Sequence, residues 1–297
     1  MAVLCAGFAW GFMGLFTRHL NTLGIDAAGS VMLRCIIGAL CFLALILATE
    51  PSRLRIRLRD LWVFFGVGVV SLLFFTFCYF RAIELMSLSA AAILLYTAPM
   101  FVVILSAVLF RERLTRSKLV AMALAFAGCA LVSGLAGGVR VTATGLLLGL
   151  SGGIGYALFT VFSRYAINRG YTSATINFYA CVLAALGTLV IWQPVGAVKV
   201  MFSSIEAFGW ALGLGVVTSF IPYYLYTRAL GGLENGRAAV IASIEPVVAS
   251  LVGVLVFAER LTLPMTTGVA LVVVAIIVLN AEAFHPRRPR FVRILHA

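Results

Sequence analysis

Apolar runs of about twenty residues recur along almost the whole chain, and they limit its fold more than any other feature. A helix needs about 20 mostly apolar residues to cross the hydrocarbon of a bilayer. Ten stretches approach that length: 2–18, 28–48, 61–80, 88–110, 118–135, 143–163, 172–192, 207–227, 237–258 and 265–283. The breaks between them are short and carry the Pro, Gly and charged residues of turns. With no water to take up backbone N–H and C=O groups, runs of this kind must be helical. The 297 residues are 63% hydrophobic and 11% charged, against about half and about a quarter in soluble domains. Too few polar residues remain to cover a soluble surface. The expected class is an all-α membrane protein of ten transmembrane helices with no separate soluble domain.

The net charge of +12 would suit a nucleic-acid partner, but the positions of the charges exclude it. Arg53, Arg55, Arg57 and Arg59 lie between two apolar runs, and Arg287, Arg288, Arg290 and Arg293 follow the last one. Basic clusters at helix ends are what retention on the cytoplasmic side produces. With a cytoplasmic N-terminus, sixteen Lys and Arg fall inside, Arg111, Arg113, Arg116, Lys118, Arg164, Arg169, Arg228 and Arg237 among them, and five outside: Arg18, Arg81, Arg140, Lys199 and Arg260. Both termini are therefore expected in the cytoplasm, in a multi-pass protein of the inner (plasma) membrane.

Cys5, Cys35, Cys41, Cys78, Cys129 and Cys181 all fall inside apolar runs, with no CxxC pair. They read as reduced, buried thiols rather than disulfides or metal ligands, and no metal or cofactor is expected. The apolar N-terminus lacks the basic start of a signal peptide, so it reads as a first membrane helix.

The chain also repeats itself. Tyr79, Arg81, Ala82, Tyr96, Pro99, Glu112, Arg113, Leu114 and Thr115 recur as Tyr226, Arg228, Ala229, Ser243, Pro246, Glu259, Arg260, Leu261 and Thr262, each 147 residues later. Trp10, Phe16 and Arg18 match Tyr156, Phe162 and Arg164 at 146. Two units follow, 1–135 and 142–283, with a basic tail at 284–297. Five helices in each unit make the second enter from the opposite side, giving inverted repeats around a central cavity, a plan suited to alternating access.

These motifs resemble the EamA family of the drug/metabolite transporter superfamily. The resemblance is carried by Trp10 and Gly11, Arg34, the Tyr79 to Ile83 stretch, Tyr96 to Pro99 followed by Arg111 to Leu114, and Glu245 to Val247 followed by Ala258 to Leu261. It implies a ten-helix transporter with a central cavity for amino acids, other metabolites or organic cations, and export is the direction it favours. The second unit departs from the pattern, with Tyr156 and Ala157 in place of Trp-Gly, so the cavity is expected to be chemically asymmetric.

Glu245 sits mid-run beside Pro246. A charge at that depth costs about 2.5–3.5 kcal/mol on insertion scales, so it should face a cavity or a partner, as a proton-coupling site, a counter-charge for solute, or a structural carboxyl. Arg34, nearer the outer end of its helix, can snorkel or hold a solute carboxylate. Pro99 and Pro246 should kink their helices. Trp10, Tyr79, Tyr96, Tyr156 and Tyr223 are the aromatic candidates for the cavity wall, completing a substrate set with Arg34 and Glu245. Glu112 and Glu259 at matched helix ends read as local salt bridges or an access gate. Gly7 and Gly11, and Gly145, Gly149 and Gly153, are spaced for close helix packing. Gly149, Ser151 and Gly153 also satisfy a nucleophile-elbow pattern, but His19, His285 and His296 are the only histidines and none is mid-run, so no catalytic site is expected. The partners expected are a small solute and the lipid bilayer, with no nucleic acid, and the unit a monomer or homodimer.

Overall fold

The computed structural model describes residues 1–86, 88–133, 142–258 and 262–284. Arg140, Glu259, Arg260, Leu261 and the basic tail from His285 onward lie outside the described residues.

Among the described residues all regular structure is helical. The helices are α1 (Ala2–Gly11), α2 (Met13–Thr22), α3 (Ala27–Thr49), α4 (Leu58–Leu85), α5 (Leu88–Leu95), α6 (Ala98–Phe110), α7 (Arg116–Val132), α8 (Ala143–Asn168), α9 (Ser173–Trp192), α10 (Val195–Met201), α11 (Ile205–Leu230), α12 (Asn235–Ala242), α13 (Glu245–Phe257) and α14 (Leu263–Phe284). Among the described residues seven stretches are long and apolar enough to cross a membrane: α3, α4, Ala90–Phe110, α8, α9, α11 and Asn235–Phe257. The other three predicted runs are occupied by α1 with α2, by α7 and by α14. The short α10 lies in a stretch read from sequence as a loop.

The polar breaks work as helix starts. Asp26 accepts from Gly29 N at 2.7 Å, Thr142 from Gly145 N at 3.0 Å, Thr172 from Thr175 N at 3.3 Å and Ser204 from Ala207 N at 3.0 Å. Each satisfies an amide that has no partner within its helix.

Two departures from regular helix bear on the site. First, α4 and α11 each contain a π-helical segment, Gly66–Leu73 and Val216–Phe220. The second ends two residues before Pro222, where the wider turn accommodates a ring that has no N–H to donate. Second, the predicted proline kinks are complete breaks. The helix ends at Leu95 and restarts at Ala98, and ends again at Ala242 and restarts at Glu245. Pro99 and Pro246 occupy the first turns of α6 and α13. There the missing N–H costs nothing, because first-turn amides have no helical acceptor. Both restarted helices end on a left-handed residue, Arg111 (φ 57°) and Ala258 (φ 53°), which stand 147 positions apart.

Glycines bring helices against the two breaks. A Cβ on Gly7 of α1 would lie 2.5 Å from Ile244 Cγ2, and one on Gly153 of α8 would lie 2.7 Å from Thr97 Oγ1. A Cβ on Gly149 would lie 2.5 Å from Leu94 Cδ1, so packing against α5 accounts for the glycines of the elbow-like pattern. Helices α7 and α14 pack closely, and a Cβ on Gly128 would meet Gly268 O at 2.7 Å. All six cysteines are free thiols. Four are buried as expected; Cys5 is exposed and Cys41 half-buried.

Candidate functional site

The two helix breaks border one cavity of about 190 Å³ inside the bundle. Trp10, Arg34, Tyr79, Tyr96, Tyr156, Tyr223 and Glu245 all contribute to its wall. They come from α1, α3, α4, the 96–97 break, α8, α11 and the start of α13. Pro99 lines it as well; Pro246 does not.

Glu245 owes its position to the break at Ser243 and Ile244. It is the first residue of α13, so its carboxylate sits at the positive end of the helix dipole. Around it, Tyr79, Tyr96, Tyr156 and Cys129 lie within electrostatic reach. Arg34 does not snorkel to an interface. It is 6% exposed, because α3 packs against α9 and turns this side chain inward. One guanidinium nitrogen lies 3.3 Å from Met13 Sδ, and the Tyr223 ring is 6.0 Å away. The Nε–H of Arg34 is buried without a hydrogen-bond partner. Among the described residues no carboxylate lies within 4.0 Å of it, so Arg34 and Glu245 do not form an ion pair. The two charges border the same space without neutralising each other in direct contact. Leaving a buried guanidinium donor unmade costs about 1–3 kcal/mol or more, which a bound anionic group would recover.

The aromatic wall is interlocked. Trp10 packs edge-on to Tyr223 at 5.4 Å and lies 5.5 Å from Tyr226. Tyr156 packs edge-on to Phe75 at 5.6 Å. Tyr and Trp offer apolar faces and polar tips, and cations are attracted to such faces.

Toward the arginine-rich end two layers of polar contacts flank the cavity. Thr160 and Tyr226 share a buried hydrogen bond of 2.8 Å. One turn further along α8, Arg164 donates from Nε to Asn235 Oδ1 at 2.8 Å and from a terminal nitrogen to Leu233 O. Asn235, fully buried, donates from Nδ2 to Ser106 Oγ at 3.1 Å. Glu112 accepts from Asn235 N at 2.7 Å and Gly236 N at 3.3 Å. Lys118, itself buried, holds Glu112 at 3.5 Å and Glu234 at 2.8 Å. This cluster ties α6, α7, α8 and α12 together. At the opposite end, His19 Nε2 meets Glu206 Oε1 at 2.9 Å and its ring stacks on Trp210 at 4.1 Å.

A family model described as the EamA-like transporter family matches residues 1–134 and again 143–281. The chain belongs to the EamA-like transporter family. EamA proteins form part of the drug/metabolite transporter superfamily, and this one is a multi-pass protein of the plasma membrane. An "Uncharacterized transporter" of Archaeoglobus fulgidus is 30% identical over 279 residues, covering 93% of this chain and 94% of its own. The "Uncharacterized transporter YwfM" of Bacillus subtilis is 25% identical, covering 99% and 96%. A solved crystal structure 21% identical to this chain superposes with a TM-score of 0.82 over 96% of each, which establishes the shared fold.

Within this EamA chain, sequence reasoning singled out Glu112, as a local salt bridge or an access gate, and overlooked the rest of the polar cluster under the cavity. Asn235 lies two positions before the predicted run 237–258 and directly after Glu234, a position that reads as loop until α12 carries it inward. It also overlooked Thr160, whose hydroxyl is hidden in an apolar run. The repeat alignment did single out Arg164, though as the partner of Arg18 rather than as a donor to Asn235.

Proposed function

We propose that this protein carries small amphipathic metabolites, amino acids or related solutes, across the plasma membrane by alternating access. The observation that carries the reading is the cavity itself: Arg34 with an unmade donor and Glu245 without a cation line it together, between aromatic walls. A zwitterion places its carboxylate on the guanidinium and its ammonium toward Glu245, and its apolar body meets Trp10, Tyr79 and Tyr156. On this reading the chain crosses the bilayer ten times, as inverted five-helix units at 1–135 and 142–283, with both termini cytoplasmic, and it performs no catalysis. The offset of 147 between Arg111 and Ala258, and the equivalent helix breaks packed by Gly153 and Gly7, support the duplication. The polar cluster of Glu112, Lys118, Arg164 and Asn235 then closes the cytoplasmic side while solute exchanges with the outside. Export is the working direction, and Glu245 is the proton-coupling residue. The working unit is a monomer or homodimer.

Counterflow in proteoliposomes, with a panel of labelled amino acids and organic cations, tests the reading. Saturable exchange of a zwitterion that Arg34→Ala weakens is the expected result. Saturable exchange of an organic cation, unaffected by Arg34→Ala, would favour a second reading, a multidrug or organic-cation carrier. The aromatic wall and the single carboxylate of Glu245 fit that class as well.

A further inference from the structure

A second pair of cavities lies away from the solute site, at the arginine-rich end of the bundle. Helices α3 and α11 pack together around the π segment Val216–Phe220, and they have no comparable packing further toward that end. The gap they leave is a groove of about 410 Å³. Its walls on the spans carry the apolar Leu45 and Ile46 of α3, Ile167 of α8 and Ala174 of α9, with Tyr224 of α11, and Thr49, Ser173, Thr227 and Arg228 add polar groups. It adjoins a second cavity of about 440 Å³, and the two share Glu50, Arg53, Tyr171 and Thr172.

The second cavity is basic. Arg53, Arg55, Arg57 and Arg169 line it, and Arg228 lines the first. Two carboxylates offset part of this charge: Glu50 pairs with Arg53 at 2.5 Å, and Asp60 holds Arg169 at 3.1 Å. Arg169 is fixed further by the Trp62 ring, 4.9 Å from its guanidinium. Among the described residues no carboxylate lies within 4.0 Å of Arg55 or Arg57, and both are exposed. The backbone amide of Arg57 is tied to Tyr171 Oη at 3.0 Å, and Thr175 Oγ1 donates to Arg53 O at 2.9 Å. The loop that carries the arginines is thus fastened to the start of α9.

We propose that these joined cavities form a binding site for one anionic phospholipid of the adjacent leaflet. The phosphate lies among Arg53, Arg55 and Arg57, and an acyl chain runs along the half-buried Leu45, Ile167 and Tyr224 between α3 and α11. The layout matches the molecule: positive charge on the loops, an apolar channel on the spans, and both at one end of the membrane-spanning helices. A free phosphate would use the arginines and leave the apolar groove without a role. A neutral lipid would fill the groove and leave Arg55 and Arg57 without a partner. The bound lipid clips the 50–60 loop to α9 and α11, which links two helices of the first unit to two of the second.

Native mass spectrometry of the full-length protein, released from mild detergent and titrated with phosphatidylglycerol, phosphatidylcholine or inorganic phosphate, tests this. One phosphatidylglycerol is expected to be retained at least about tenfold better than phosphatidylcholine, since each arginine near an anionic headgroup contributes about a fivefold gain. The double variant Arg55→Ala, Arg57→Ala should lose that preference, whereas Arg55→Lys, Arg57→Lys keeps most of it and Arg113→Ala, on a different loop, leaves it intact. Thr49→Trp, which fills the apolar groove without changing charge, should also displace the lipid. Unchanged thermal unfolding of the variants separates lost binding from lost fold. Equal retention of the two lipids, retention unaffected by the alanine pair or by Thr49→Trp, or displacement by millimolar phosphate would each overturn the proposal.

Discussion

Glu112 caps the first turn of α12 from more than a hundred positions away, its carboxylate accepting the backbone amides of Asn235 and Gly236 at 2.7 and 3.3 Å. The same carboxylate lies 3.5 Å from the buried ammonium of Lys118. Glu112→Ala removes a long-range cap and one of two carboxylates beside a buried lysine. A lost cap costs about 1 kcal/mol, and Lys118 keeps Glu234 at 2.8 Å, so a loss of about 1–3 kcal/mol is expected, short of the full penalty for an orphaned buried charge. A lowered apparent Tm in detergent measures it. An unchanged Tm would remove the cluster from the structural account.

A milder change at the same residue, Glu112→Gln, should loosen that end of the bundle. If Glu112, Arg164 and Asn235 hold the cavity shut there, a cysteine placed at Ala239, which lines the cavity, becomes reactive to a membrane-impermeant thiol reagent from that side in Glu112→Gln but not in the parent. Equal labelling in both would show that the cluster does not gate.

Arg34 separates solute classes. Arg34→Ala is expected to raise the KM for a zwitterionic solute by about ten- to a hundredfold, since a charge-assisted hydrogen bond contributes about 1.5–3 kcal/mol. Arg34→Lys should recover part of this, because an ammonium keeps the charge and loses the planar fork. An unaltered KM in transport assays would rule out a carboxylate partner.

Glu245→Gln keeps the shape of the side chain and removes its titration. Wild-type flux is expected to vary with pH and the variant's flux to be flat. A pH profile that survives the substitution would assign proton coupling elsewhere.

Gly128 and Gly268 report on packing alone. A methyl at Gly128 would sit 2.7 Å from a backbone oxygen, which cannot rotate away, so α7 and α14 must separate. Gly128→Ala should destabilise by about 1–3 kcal/mol, as overpacking does, with transport by the surviving protein retained. Unfolding curves and flux per folded molecule check the two halves of that statement.

The apolar periodicity made the helical class and most helix positions legible, because in hydrocarbon a long apolar run has one backbone solution. The wall residues were legible for a related reason. Charges and tyrosines placed deep in such runs, as Arg34, Glu245 and Tyr156 are, need a polar space to face. What sequence could not supply was local geometry. A proline in a run signals a distortion, but whether it bends the helix at Pro99 or ends and restarts it depends on whether neighbours such as Gly153 leave room for the turn. Arg34 illustrates the other limit. Its position near one end of the run allowed it to reach outward, and only the rotation of α3, set by packing on α9, turned it inward. The cluster around Asn235 was hidden because its members are ordinary loop-edge residues that become neighbours only after folding.

The π segment Gly66–Leu73 works as a phase shifter. A wide turn holds one more residue than an α-turn, and one residue is worth about 100° of rotation. Everything beyond it in α4, including Thr76 and Tyr79 on the cavity wall, owes its compass bearing to that surplus residue. Deleting any single amino acid between Gly66 and Leu73 would leave the span nearly as long and as apolar as before. It would also let the wide turn relax into a regular α-turn, so that Tyr79 keeps its bearing on the cavity; tightening the turn without removing a residue is what would swing it by about 100°.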